Sequence, residues 1–175
     1  MKLLIIGHGR HGKDTVAEML RQHTGMEFQS SSQAAADIFI YDELKDKYGY
    51  KTPEECFEDR SNHRKEWHDL ICEYNKDDKA RLAKDILKNV DIYVGMRSDA
   101  EIQECRKQKL FHYVIGVYDP REMAEGKDSF DIDLYKQSDF IIPNAEGLWD
   151  LRVKVHKVAH LIMLRQEVIE MNLAT

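Results

Sequence analysis

Proline and cysteine are both scarce here, three of each in 175 residues. The cysteines, Cys56, Cys72 and Cys105, are odd in number and far apart, with no C-x-x-C pair. That excludes a disulfide framework and a cysteine zinc site, and it fits a reducing compartment. All three read as buried or half-buried thiols. The few prolines form no biased tract, so disordered, collagen-like and linker-rich classes fall away. Long apolar runs are missing too. Leu3-Leu4-Ile5-Ile6 stops at Gly7 after four residues, too short for a secretion signal or a membrane span. Positive charge is the last shortage: 26 Lys+Arg face 32 Asp+Glu, a net charge of −6. Duplex nucleic acid is gripped by clustered Lys and Arg, so neither nucleic acid nor a membrane is expected as a partner. The expected place of work is the cytoplasm.

What is present has the size of one domain, residues 1–175, with a core that needs no staple. Strand-like and helix-like segments alternate. Leu3 to Ile6 suits a strand buried on both faces, and from Lys13 the residues Val16, Ala17, Met19 and Leu20 form a helical stripe ending at Thr24-Gly25. Met26 to Gln29 is a short second strand. Thr52-Pro53-Glu54-Glu55 opens a helix with a cap, a first-turn proline and a capping box. Arg64 to Tyr74 and Asp77 to Lys88 are helical, Asp91 to Met96 is a strand, and Ala100 to Gln108 is a helix. Tyr113 to Tyr118 and Phe140 to Ile142 are strands, and Leu148 to about Leu173 is one long helix. This alternation predicts an α/β fold in three layers, a parallel sheet of about five strands with helices on both faces.

Directly after the first strand stands Gly7-His8-Gly9-Arg10-His11-Gly12-Lys13-Asp14-Thr15, which holds the G-x-x-x-x-G-K of a phosphate loop between strand and helix. Glycines let the backbone wrap phosphate oxygens, N–H groups and the helix N-terminus present positive dipole to them, and Lys13 reaches the β- and γ-phosphates. The strict pattern has Ser or Thr right after the lysine. Here Asp14 stands there and Thr15 follows, so either oxygen is a candidate for magnesium and the other for phosphate. Gly7, Gly9 and Gly12 also spell G-x-G-x-x-G. The lysine beside Gly12, and the lack of an acidic residue closing a clear second strand, speak against a dinucleotide site.

Phosphoryl transfer needs cations near strand ends and an acceptor in line. Arg97 lies just past the strand that ends at Met96, where open parallel sheets bind ligands, or else it is a plain surface arginine. Arg60 and Arg64, four apart on one expected helix face, suit a bidentate phosphate clamp; Glu58, Asp59 and Glu66 are equally good ordinary partners. Arg121 opens a charged segment, about 119–137, that reads as a lid over a nucleotide or as a solvated loop. Ser30, Ser31, Ser32 and Gln33 either bind substrate or cap a helix. Trp67, Tyr74 and Tyr93 stack on a base or pack in the core. His156 and His160 stand four apart without a third ligand, so no metal site is read there.

With these motifs in place, the chain resembles the phage-type deoxynucleoside monophosphate kinases, a branch of the P-loop nucleotide kinases. The Gly7-to-Thr15 loop, with its G-K-D-T ending, is characteristic of that branch. Met96-Arg97-Ser98-Asp99-Ala100-Glu101 is similar to the family's strand-end arginine with an acidic residue opening the next helix, and Ser138-Asp139-Phe140-Ile141-Ile142-Pro143-Asn144 is similar to its last strand and asparagine. One departure stands out: where members often carry an acidic residue two places before the arginine, this chain has Gly95. The resemblance implies a P-loop kinase fold and transfer of the γ-phosphate of ATP, with Mg2+, to a (deoxy)nucleoside monophosphate. It implies that Ser30 to Gln33 and the Arg60/Arg64 helix, within a region of about 30–75, hold the monophosphate. Arg97 would contact the acceptor or transferring phosphate, and Arg121 would close over ATP. The partners implied are small-molecule nucleotides, in the host cytoplasm if the gene is a phage's. Two other readings stand beside this one: a P-loop kinase for another small acceptor such as dephospho-coenzyme A, and a nucleotide-binding protein without turnover. A homodimer through the long last helix is a further expectation, drawn from its length.

Overall fold

The structure is a computed structural model, and it describes residues 1–126 and 129–173. Four parallel pairings join five strands, β1 (Leu3–Ile6), β2 (Phe28–Ser30), β3 (Ile92–Met96), β4 (Tyr113–Tyr118) and β5 (Phe140–Pro143), in the order β2-β3-β1-β4-β5. β1 is central because it is apolar at every position and must be covered on both faces: Leu3, Leu4, Ile5 and Ile6 are all buried. Successive side chains of a strand point to opposite faces, and the core divides accordingly. Leu3 and Ile5 pack with Val16 and Leu20 of α1 (Lys13–Thr24) and with Leu151, Val155 and Ile162 of the last helix. Leu4 and Ile6 pack on the opposite side with Leu82, Ile86, Ile102, Phe130 and Ile132. Each such side chain removed from water contributes roughly 1.5–3 kcal/mol.

Between β2 and β3 runs a helical excursion. α2 (Ser31–Ala35) continues through a π-type turn, Ala36–Ile40, into α3 (Tyr41–Tyr48); α4 (Pro53–Asp59), α5 (Arg64–Tyr74) and α6 (Arg81–Leu87) follow. Its small core of Ala35, Ala36, Ile40, Leu44, Cys56 and Trp67 is separate from the two at the sheet. The start of α4 forms as its composition dictates: the Thr52 hydroxyl accepts from the Glu55 N–H at 3.3 Å, and the Glu55 carboxylate accepts from the Lys51 N–H at 2.6 Å. Beyond β3 come α7 (Asp99–Lys107), β4, a segment leading to the short α8 (Leu134–Gln137), β5 and α9 (Leu148–Leu173).

Three expectations change. Cys72 is exposed, whereas Cys56 and Cys105 are buried; all three are free thiols. Arg60 and Arg64 do not share a helix face, because the helix breaks between them: Arg60 ends α4 and Arg64 begins α5, with turns across 60–63. Ser31 to Tyr48 is helical throughout, where the serine run alone suggests a cap or a binding turn.

Candidate active site

The loop between β1 and α1 sits at the carboxyl end of the central strand, where the strand order reverses and a crevice opens between the connections to β3 and β4. Its first glycine is required by packing as well as by conformation. Gly7 has φ +152°, and a Cβ there would lie 2.4 Å from the Val117 backbone oxygen of β4, so any side chain would pry β1 from β4. His11 is fully buried, and its Nδ1 accepts from the Asp119 N–H at 3.1 Å. The Asn144 amide, just past β5, donates to the His11 carbonyl at 3.3 Å. Two neighbouring strand ends therefore hold the far side of the loop. Arg10, Asp14 and Thr15 are exposed.

Lys13 lies along the inside of the loop and donates to the His8 carbonyl at 2.7 Å. Burial, followed by the nearby positive charge of Arg97, lowers its pKa to about 8. A cation held with this little water is primed for an anion. A carboxylate of the chain itself, Glu125, lies nearby. Glu125 accepts from the Gly9 N–H at 2.7 Å and, with both oxygens, from Arg97 Nη1 at 2.8 and 2.9 Å. The Glu125 N–H in turn donates to His8 Nδ1 at 3.1 Å, and the His8 ring rests on Phe130 with centroids 4.2 Å apart. Burial pushes the Glu125 carboxyl up, but the bonds from Arg97 and Gly9 outweigh it and hold it below its usual range.

Arg97 reaches this point because of Gly95. The β1–β3 register runs Ile5 to Val94 and then Ile6 to Met96, so Gly95 is the extra residue of a bulge, at φ +100°. A bulge at a strand end re-aims the residues after it. A Cβ at 95 would stand 3.1 Å from the Ser31 hydroxyl, which donates to the Gly95 carbonyl at 3.2 Å. The position expected to carry an acid is thus filled by a backbone bend and a serine contact. Ser31 is thereby tied to the Arg97 strand; Ser30 caps α2, accepting from the Gln33 N–H at 3.2 Å, and Ser32 is half-buried.

The other arginines lie elsewhere. Arg121 is fixed by Asp119, donating to its two carboxylate oxygens at 2.9 and 2.7 Å, and to the Asn144 carbonyl at 2.9 Å. The hydrogen bond from Arg121 holds the Asp119 carboxyl at about 2. Arg60 donates to the Phe57 carbonyl at 2.7 Å and lies over the Phe57 ring, its guanidinium carbon 3.8 Å from the centroid. Arg64 has no hydrogen-bond or ion-pair partner among the described residues and lines a cleft of about 470 Å³ with His63, Lys65, Glu66 and Leu70. Trp67 is core, Tyr93 is buried, and Tyr74 stacks on Phe39. His156 meets His23 edge-on, and among the described residues no three His, Cys, Asp or Glu side chains group as metal ligands. The expected lid, 119–137, is pinned along its second half: Phe130, Ile132 and Leu134 are buried in the sheet core, and Asp131 Oδ1 accepts from the Asp99 N–H at 2.6 Å. Residues 127–128 of that expectation lie outside the described residues.

Sequence reading missed Glu125, Asp119 and the inward-facing Glu101, whose carboxyl accepts from Asn75 at 2.7 Å and is raised by burial. Glu125 is 116 residues from Gly9, and no local spacing announces such a contact.

No protein-family model and no curated protein matches the chain. Among solved structures it is similar to dephospho-CoA kinase from Campylobacter jejuni, at 17% identity and a TM-score of 0.53, over 92% of this chain and 96% of that one. It is similar to TT1252 from Thermus thermophilus at 14% identity and a TM-score of 0.50, over 92% and 96%. A shikimate kinase from Aquifex aeolicus aligns over 97% and 99%, with 16% identity and a TM-score of 0.48. At these identities the likeness is one of architecture: this chain has the three-layer P-loop kinase fold, a five-stranded parallel sheet between helices.

Proposed function

We propose that the chain transfers the γ-phosphate of ATP to a (deoxy)nucleoside monophosphate, giving the diphosphate. The observation that carries this reading is the convergence of Lys13, the Gly9 N–H and Arg97 around one carboxylate at the mouth of the phosphate loop. Charge on a phosphoryl group in flight spreads over its outer oxygens, and a cage of N–H and cationic groups is what lowers the energy of that arrangement. An oxygen of the acceptor phosphate attacks the γ-phosphorus; the bond from that phosphorus to the bridging oxygen breaks on the far side, and ADP leaves. The protein forms no covalent bond in this step.

Each residue then has a task. The loop backbone from Gly7 to Gly12 and the start of α1 receive the β- and γ-phosphates, and Lys13 releases the His8 carbonyl to span them. Arg97 follows the transferring group or the acceptor phosphate. Ser31 and Ser32, at the β2–α2 junction beside Gly95, and Arg64, without a partner in its cleft, are the acceptor-side groups; Ser30 and Arg60 are occupied by capping α2 and by Phe57. Arg121 keeps an exposed face toward solvent for the nucleotide while Asp119 holds its other edge. Magnesium keeps most of its waters and takes nucleotide phosphate oxygens, so it asks few ligands of a protein. The exposed, unpaired oxygens of Asp14 and Thr15 at the start of α1 fit that demand. The ion would supply charge neutralisation along the phosphates.

The likeness to a dephospho-CoA kinase favours a second reading, with the same donor and a hydroxyl of a larger metabolite as acceptor. The glycine at 95, in place of an acid, keeps a third, nucleotide binding without turnover. One panel separates them: ADP release measured with each deoxynucleoside and ribonucleoside monophosphate, dephospho-coenzyme A and shikimate. Release with a monophosphate, abolished by Lys13→Ala in a variant that keeps its circular dichroism, is the expected result. Release only with dephospho-coenzyme A moves the assignment to the second reading, and ATP binding with no release for any acceptor moves it to the third.

A further inference from the structure

Glu125 is placed as an anion in an anion site. It accepts the Gly9 N–H and both contacts from Arg97, and it lies near enough to Lys13 for each to shift the other's proton affinity. Its side chain keeps only 18% of its surface, although it belongs to a segment that is otherwise exposed from Pro120 to Gly126. Nothing about the exposed segment requires a carboxylate to turn inward. The loop supplies the reason: a buried ammonium and a guanidinium without a counter-ion are costly, and a carboxylate offsets that cost with charge-assisted hydrogen bonds. Two anchors hold it there, the Glu125 N–H on His8 Nδ1 and, five residues on, the buried Phe130 against the His8 ring. His8 thus belongs to the latch, a task the loop pattern alone does not give it.

We infer that Glu125 is an internal competitor for nucleotide phosphate: it occupies the mouth of the phosphate loop until a polyphosphate displaces it, and the displacement frees Arg97 in the same event. The inference rests on the phosphate-loop reading above and adds a regulation to it. A γ-phosphate and the Glu125 carboxylate both require the Gly9 N–H, so one excludes the other. Because Arg97 is bound to the same carboxylate, ATP arrival and release of the arginine toward an acceptor become one transition. The free protein keeps its cations neutralised, and affinity for ATP is lowered by the fraction of molecules in which the latch is shut.

The sign of two effects together tests this. Removing the carboxylate takes the ion-pair partner from Arg97 and one of two neighbouring negative charges, beside Asp14, from Lys13, so Glu125→Gln should melt earlier than the native chain in the absence of ligand, yet bind better. A residue with a merely structural role would lower both. Calorimetric titration with inorganic tripolyphosphate and with ATP, on the native chain, Glu125→Gln and Glu125→Asp, reads the affinity. Glu125→Asp keeps the charge but draws it back by one methylene, so it guards against a folding defect in the first variant. The expected result is about tenfold tighter binding of both probes to Glu125→Gln, corresponding to about 1.4 kcal/mol, and a smaller gain for Glu125→Asp. Unchanged or weaker binding to both variants, with native binding still abolished by Lys13→Ala, overturns the competitor role and leaves the loop assignment standing. Failure of native chain and variants alike to bind either probe overturns the loop assignment and the latch with it.

Discussion

A side chain at position 95 would be strained by the backbone and tight against one neighbour. The bulge needs φ +100°, and the added carbon would meet the Ser31 hydroxyl at 3.1 Å. Replacing Gly95 by alanine should cost about 1–2 kcal/mol of stability, measured by urea unfolding, because a left-handed conformation is strained for any residue with a Cβ. An aspartate introduced to imitate the resembled family carries the same strain and should not raise activity. Asp119 gives a second effect at this scale. The Arg121 bond holds its carboxyl at about 2 in the fold against 3.8 unperturbed, so the pair stabilises fully above about pH 3.8 and its contribution fades as pH falls through about 2. Asp119→Asn should therefore lower stability at neutral pH and flatten the acid limb over that window, read from denaturant midpoints at stepped pH.

At the scale of elements, legibility follows from whether a segment is stabilised locally. α1, α5 and α9 show apolar stripes at helical spacing, and β1 and β4 are apolar runs buried on both faces; each carries its own signal. The helical stretch from Ser31 to Tyr48 does not, because the π-type turn shifts the periodicity midway, the buried Ala34, Ala35 and Ala36 are small and consecutive, and the serines ahead of them read as a turn. The Arg60/Arg64 pairing misled for a related reason: spacing specifies a face only while the helix continues, and it stops at Asp59. The glycine loop between β1 and α1 was legible as a turn from strand into helix, since that signal is carried by consecutive residues. Glu125 was not, since its place depends on where β4 and the following segment return to the sheet. That segment is fastened by Phe130, so Phe130→Ala should release it. The expected outcome is a loss of about 3–5 kcal/mol if the whole domain senses the cavity, and faster proteolytic cutting between Pro120 and Gly126 in either case.

At the scale of the molecule, binding and stability are linked. ATP at a hundred times its dissociation constant should stabilise the native chain by about 2.7 kcal/mol, a rise of roughly 5–10 °C in melting temperature for a protein of this size. Lys13→Ala should melt at one temperature with or without ATP, which differential scanning fluorimetry can check. Among the described residues no helix is long and apolar enough to cross a membrane. The second half of α9 nonetheless exposes Leu161, Leu164, Val168 and Met171 at helical spacing. The homodimer expected from that helix should give a twofold mass by light scattering, lost on Leu164→Asp with Val168→Asp; a monomer mass for the native chain ends that expectation.

The central position of β1 also sets an order of events in synthesis. Leu3 pairs with Ile92 on one side and Tyr113 on the other, so both neighbours of the strand leave the ribosome long after it. Until then four consecutive apolar residues have no sheet to join, and the glycine loop behind them has neither the Val117 carbonyl nor Asp119 to shape it. The proposed nucleotide site is therefore made well before the strands that order it. Closing such distant pairings slows folding. A nascent chain halted before Tyr113 should bind no ATP and should expose Leu3 to Ile6 to chaperones.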